Sequence, residues 1–152
     1  MCGIAGFAVT RESGAFPQGP AVLSRMTDVI RHRGPDDEGF FYQDRVFLGH
    51  RRLSIIDLSA GHQPMSNEDK SVHIVYNGEI FNHSAARVEL EKAGHVYTSH
   101  CDTETIVHAW EQYGAACLDR FRGMFAFALW DTPAQTLFCA RDRLGIKPFY
   151  YY

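Results

Sequence analysis

Met1-Cys2-Gly3-Ile4-Ala5-Gly6-Phe7 opens the chain. Methionine aminopeptidases trim Met ahead of a small residue, so the mature chain is expected to begin at Cys2. A cysteine that is also the N-terminal residue carries its own base, a free α-amine a few ångströms from the sulfur. The α-amine titrates at roughly 7.7–8.0 and can take the thiol proton directly or through a water. The residues after it, small and apolar through position 9, read as a short buried strand. A thiol nucleophile at the head of a buried strand points to an N-terminal-nucleophile acyl-transfer enzyme. The competing reading is a small buried hydrophobe, since free Cys is among the most buried residue types.

Composition limits the classes open to the chain. With 152 residues, 45% hydrophobic and 22% charged, it is a soluble domain's length and balance. Such a chain buries roughly 68–70% of its unfolded surface, enough for a core without covalent staples. A formal net charge of -3 gives no electrostatic case for nucleic acid or an anionic membrane. The four cysteines, Cys2, Cys101, Cys117 and Cys139, form no CxxC pair. There is no signal-peptide pattern and no apolar run of membrane-spanning length. A reducing cytoplasm is the expected compartment, and it suits a free thiol.

Outward from the first strand, Gly14 to Pro20 reads as a loop and residues 21–30 as a helix stopped by Gly34-Pro35-Asp36-Asp37. Strands are predicted over 39–42, 46–48 and 53–56, with a loop over 61–70. Residues 72–76 alternate and should deliver Asn77-Gly78 at a strand end. Helices are predicted over 80–93 and 103–113, then paired strands over 124–130 and 136–140, and a final strand beginning at 149. Strands, two helices and strands again predict an α+β protein with stacked sheets and helices outside. The run Tyr150-Tyr151-Tyr152 suggests a piece of something longer, truncated at the C-terminus.

Acyl transfer from a carboxamide requires oxyanion donors and groups that hold the substrate's far end. Asn77-Gly78 pairs a side-chain amide with a flexible backbone N–H; it is also a common turn dipeptide. Arg52 could clamp a carboxylate with its fork, or stand exposed at a strand start. Asp102 could cap the following helix, or face an ammonium group. A carboxylate and an arginine flanking a thiol would read both charges of a free amino acid. The histidines show no metal spacing such as HExxH, and no metal site is expected.

Seven segments in order carry a resemblance. They are Met1-Cys2-Gly3-Ile4-Ala5-Gly6, Arg31-His32-Arg33-Gly34-Pro35-Asp36, Gly49-His50-Arg51-Arg52-Leu53-Ser54-Ile55-Ile56-Asp57, and Tyr76-Asn77-Gly78-Glu79-Ile80-Phe81-Asn82. Asp102-Thr103-Glu104, Arg122-Gly123-Met124-Phe125-Ala126-Phe127-Ala128 and Arg141-Asp142-Arg143-Leu144-Gly145-Ile146-Lys147-Pro148 complete the set. Together they resemble the class II glutamine amidotransferase domain of the asparagine-synthetase family, along nearly the whole chain. The branches making phosphoribosylamine or glucosamine phosphate are similar at Cys2 and Asn77-Gly78 but differ at the Arg-Leu-Ser-Ile-Ile and Gly-Ile-Lys-Pro segments.

The resemblance implies a four-layer αββα sandwich of N-terminal-nucleophile type, with residues 1–152 forming one glutaminase domain. It implies hydrolysis of L-glutamine to glutamate and ammonia through a Cys2 γ-glutamyl thioester. Asn77 and Gly78 would form the oxyanion hole, and Arg52 would hold the α-carboxylate. Asp102 and Glu79, with the segment Leu53, Ser54, Ile55 and Ile56, would hold the amine end and side-chain amide. The loop 31–36 looks structural, packed under the site. Family members usually have Ser where this chain has Cys101. No Ser-Gly-Gly-rich ATP-pyrophosphatase loop is present, so ATP and Mg²⁺ are expected only in a synthetase domain in cis beyond these residues; this domain itself is expected to need no cofactor. The acceptor of the ammonia stays open. An amidotransferase of a polysaccharide or secretion cluster fits as an alternative, as does a silent glutamine-binding module if Met1 is retained. A homodimer is left open.

Overall fold

The computed structural model describes residues 2–10, 12, 14–43, 45–53 and 61–152. Two antiparallel sheets face one another. The first contains Gly3–Ala8 (β1), Asp37–Gln43 (β2) and Val46–Arg52 (β3), in the order β1-β3-β2. The second contains Met65–Ser66 (β4), Val72–Ile80 (β5), Gly123–Asp131 (β6) and Thr136–Arg141 (β7), in that order. Between them Val46 and Leu48 of β3 meet Val75 of β5 and Ala128 and Trp130 of β6, with Ile4 and Phe41 closing the cluster.

Each sheet carries helices on its outer face. Helix α1, Gly19–Val29, has Pro in its first turn, where the missing N–H is no loss, and lays Leu23 and Thr27 on β3. A Cβ at Gly49 would stand 2.5 Å from the Thr27 methyl, so glycine there lets helix and strand approach. Arg51 fastens the contact: its guanidinium reaches Asp28 at 2.5 Å and Glu38 at 2.6 Å. On the second sheet, α2 (His83–Lys92) and α3 (Asp102–Tyr113) cover a larger core of Ile74, Tyr76, Ile80, Leu90, Ile106, Phe125, Phe127 and Leu129. A 3₁₀ segment, Gly114–Arg120, leads from α3 into β6. The order is therefore helix, sheet, sheet, helices, the αββα layering expected. Among the described residues no helix is long and apolar enough to cross a membrane.

Several boundaries differ from the sequence reading. Residues 49–52 are strand, continuous with 46–48, and polar residues hid this because His50 and Arg52 face the second sheet while Arg51 faces α1. The strand predicted over 53–56 falls largely outside the described residues. The helix expected from 80 begins at His83, because β5 runs on to Ile80. Asn77-Gly78 therefore lies inside a strand instead of at its end. A Cβ on Gly78 would sit 2.3 Å from the Met124 carbonyl oxygen, so glycine is there for the close approach of β6 and not for a turn. Residues 149–152 form no strand, and Tyr150, Tyr151 and Tyr152 are exposed.

Candidate active site

The register of the first sheet pairs Gly3 with Arg51, so the next step along the ladder sets Cys2 across from Arg52. Side chains alternate along a strand, which puts Cys2 on the face of Ile4 and Arg52 on the face of Leu48. Both Ile4 and Leu48 point at the second sheet. Strands β1 and β3 lie against β5, which carries Asn77 on this same inner face, two residues beyond Val75. Cys2 is half-buried and free of any disulfide; Arg52 and Asn77 are buried. Thus the thiol, the arginine and the amide converge at one end of the space between the sheets. A Cβ on Gly61 would stand 2.6 Å from an Arg52 guanidinium nitrogen, so Gly61 lies directly over that group.

The free edge of β5 explains what Gly78 can do. Strand β4 pairs only with His73 and Ile74, and among the described residues no strand neighbours the rest of that edge. In an antiparallel ladder the N–H groups of alternate residues point to the same side. Those of Tyr76, Gly78 and Ile80 point away from β6. Tyr76 N–H donates to Gln63 Oε1 at 2.6 Å, and Ile80 N–H donates to Asp102 Oδ2 at 2.9 Å. Between these two satisfied donors, neither the Gly78 N–H nor the Asn77 amide makes a hydrogen bond among the described residues. Two neighbouring donors without a partner among the described residues, on the strand that lies against β1, are groups that could serve an oxyanion.

Asp102 is the first residue of α3 and not its cap; Cys101 occupies the cap position and makes no side-chain cap bond. Its Oδ2 accepts from the Tyr76 hydroxyl at 2.6 Å as well as from Ile80 N–H. The carboxylate therefore braces β5 on either side of Asn77-Gly78. Burial pushes the Tyr76 phenol well above its usual value, and the neighbouring Asp102 charge adds to this, so the hydroxyl stays a donor. Glu79 is exposed and on the Asn77 side of the strand. Leu53 is half-buried just beyond β3, whereas Ser54, Ile55 and Ile56 lie outside the described residues. The loop 31–36 packs under β1 and β3: a Cβ on Gly34 would meet the Arg51 carbonyl at 2.4 Å, and Asp36 N–H donates to the Arg52 carbonyl at 3.1 Å.

Sequence reasoning overlooked three supports. His50, fully buried, places Nε2 3.2 Å from the Tyr76 carbonyl oxygen. Burial pushes its pKa down to about 4 against the opposing effect of that hydrogen bond, and the Arg52 charge lowers it further. His50 is therefore neutral at pH 7 and donates. Gln63 takes the N–H of the same residue, so two side chains replace a missing strand at Tyr76. Asp142, buried, accepts from the N–H groups of Phe125, Leu144, Ile146 and Lys147. It lies behind Phe125, the residue paired with Gly78.

Residues 1–152 match the family described as the glutamine amidotransferase domain. The chain is 40% identical over 153 residues to asparagine synthetase (glutamine-hydrolysing) 3 of Bacillus subtilis (strain 168), covering 99% of this chain and 25% of that protein. It is likewise 40% identical over 153 residues to asparagine synthetase (glutamine-hydrolysing) 3 of Arabidopsis thaliana, covering 99% of this chain and 25% of that protein. The chain thus spans about a quarter of the length of these relatives. Among solved structures it is similar to glutamine phosphoribosylpyrophosphate amidotransferase from B. subtilis. The TM-score is 0.66 at 18% identity, over 93% of this chain and 36% of that one. That likeness is one of fold, the sandwich of N-terminal-nucleophile amidotransferases.

Proposed function

The chain belongs to the glutamine amidotransferase domain family, and from that premise we propose that its end of the inter-sheet space hydrolyses L-glutamine. The Cys2 α-amine, once Met1 is removed, takes the thiol proton as sulfur attacks the side-chain carboxamide carbon. The carbonyl oxygen becomes an oxyanion and receives hydrogen bonds from Asn77 Nδ2 and the Gly78 N–H. The amine then returns the proton to the departing nitrogen. Ammonia leaves, and a γ-glutamyl thioester remains on Cys2. Water, deprotonated by the same amine, attacks this thioester and releases glutamate and the thiol.

Arg52 clamps the α-carboxylate with its planar fork. Asp102, with Glu79, faces the α-ammonium, and because both bonds to β5 fall on Oδ2 this role goes to Oδ1. The segment containing Ser54, Ile55 and Ile56 follows Arg52 directly and is assigned to the substrate's side-chain amide. In the longer protein, ammonia passes to a synthetase domain in cis, where ATP and Mg²⁺ act outside these 152 residues. The named glutamine-hydrolysing asparagine synthetases favour an aspartate-like acid as acceptor.

The observation carrying this reading is the Gly78 N–H, without a partner among the described residues, between the engaged N–H groups of Tyr76 and Ile80. One donor of an oxyanion hole contributes about 2.7–4 kcal/mol to the transition state, so Asn77→Ala should cost two to three decades in kcat. Ammonia release from glutamine, measured on protein whose mass shows Cys2 as the first residue, provides the test. Near-parental rates in Asn77→Ala would refute the assignment. Trimmed parental protein that binds glutamine without releasing ammonia would leave a binding module in its place.

A further inference from the structure

On the outer face of the second sheet, away from Cys2, the segment leaving α2 meets α3. His95 comes from that segment; His108 and Glu111 stand one turn apart on α3. One donor atom from each of the three lies within 4.8 Å of the others. Glu111 Oε2 is 2.9 Å from His108 Nδ1 and 3.7 Å from His95 Nδ1. Around a tetrahedral zinc ion, with bonds near 2.0–2.2 Å, such donors stand about 3.4 Å apart. The two observed spacings bracket that value.

The other nitrogen of each ring is already turned toward an acceptor. His95 Nε2 lies 3.1 Å from Gln112 Oε1, which leaves Nδ1 as the nitrogen turned to the Glu111 carboxylate. His108 is 1% exposed, and its Nε2 has no hydrogen-bond partner among the described residues. It faces Glu104 Oε1 at 3.8 Å and Glu68 Oε1 at 4.0 Å, at a cavity of about 210 Å³. The ion-pair partners of Glu68, Glu104 and Glu111 among the described residues are these two imidazoles, with no lysine or arginine. Asn67 Nδ2 holds the remaining Glu111 oxygen at 2.8 Å. A histidine with one nitrogen for a metal and the other facing carboxylates is the arrangement that orients metal-binding imidazoles.

We propose that His95 Nδ1, His108 Nδ1 and Glu111 Oε2 form a site for a divalent ion of the zinc class, clipping the α2–α3 connection to α3. Ion entry replaces the His108–Glu111 hydrogen bond. The ring hydrogen moves from Nδ1 to Nε2, the nitrogen turned toward the Glu104 and Glu68 carboxylates, and water fills the fourth position. Two imidazoles and one carboxylate favour zinc over magnesium or calcium, which prefer all-oxygen shells.

The test is zinc titration of chelator-stripped chain by calorimetry. Because a thiol beside an amine is itself a zinc ligand, Cys2→Ser serves as the background for every sample. One zinc per chain is expected, with a raised melting temperature that a chelator reverses. His95→Asn and Glu111→Gln, both at partly exposed positions, should each weaken binding at least tenfold, while the surface change His83→Asn leaves it intact. Cobalt in place of zinc should give the intense visible absorption of a tetrahedral ion. Binding that His95→Asn does not weaken, or a cobalt spectrum of the six-coordinate hydrated ion, means an adventitious ion only and overturns the proposal.

Discussion

His50 Nε2 donates to the Tyr76 carbonyl at 3.2 Å, joining the two sheets at the residue before Asn77. Because the buried ring must stay neutral in the fold, its burial makes stability depend on pH. Its pKa is pushed down to about 4 by burial, from an ordinary 6.5. Below pH 6.5 the unfolded chain takes up a proton that the folded chain refuses, so the contribution is complete above 6.5 and lost as pH falls toward 4. The charges felt at the ring are Asp37, Arg52 and His62. The shift corresponds to about 3 kcal/mol. Denaturant unfolding at pH 7 and pH 4.5 should show most of that loss in the parent and little of it in His50→Gln, whose amide also donates. Equal pH slopes in the two proteins would contradict the role given to His50.

Gly61 lies against the Arg52 guanidinium, and a Cβ there would approach it to 2.6 Å. The far end of an arginine moves cheaply, so Gly61→Ala should fold normally. What moves is the fork assigned to the substrate carboxylate. The KM for glutamine should therefore rise about tenfold, equivalent to about 1.4 kcal/mol, with kcat nearly unchanged. Steady-state kinetics on both proteins decides this, and an unaltered KM would remove Arg52 from the clamp.

Tyr76 offers a measure of how firmly Asp102 is held. Its hydroxyl donates to Oδ2 at 2.6 Å, while Ile80 N–H supplies the second bond to the same oxygen. A bond to a charged group contributes about 1.5–3 kcal/mol, so Tyr76→Phe should lower the urea midpoint accordingly. It should also raise the KM for glutamine, since the brace on Asn77-Gly78 and on the ammonium site loosens. Loss of stability with kinetics untouched would make the Tyr76–Asp102 pair structural alone.

Much of this was legible in the sequence, for identifiable reasons. Cys2, Arg52, Asn77 and Gly78 announce themselves by residue type, and the ordered motifs tie them to one family. What the sequence could not show is which backbone groups lack partners. Asn-Gly reads as a turn until β6 is seen pressing on Gly78. Arg51 and Arg52 look alike until strand alternation sends one to α1 and the other to the site. Asp102 suggests a cap until Tyr76 and Ile80 claim its carboxylate. His95 and His108 carry no motif spacing, because a loop and two turns of α3 bring them together.

Asp142 is buried, and its two oxygens accept four backbone N–H groups, those of Phe125, Leu144, Ile146 and Lys147. Burial alone would raise its pKa, but the amide donors outweigh it and hold the carboxyl below the usual 3.8. Such a group stabilises the fold above its unfolded pKa and stops doing so as pH falls through the lower folded value. Replacing one oxygen with an amide NH2, as in Asp142→Asn, sets a donor against donors. A buried group left unsatisfied costs about 1–3 kcal/mol, more where charge is involved, so the denaturant midpoint should fall by at least that much at pH 7. Because Phe125 pairs with Gly78 in the ladder, the loosening should spread toward the oxyanion donors. Hydrogen exchange should then quicken first at Ile146 and Lys147 and next at Phe125, with kcat falling alongside. If exchange at Phe125 keeps its parental rate while kcat falls, the link between this loop and Gly78 is wrong.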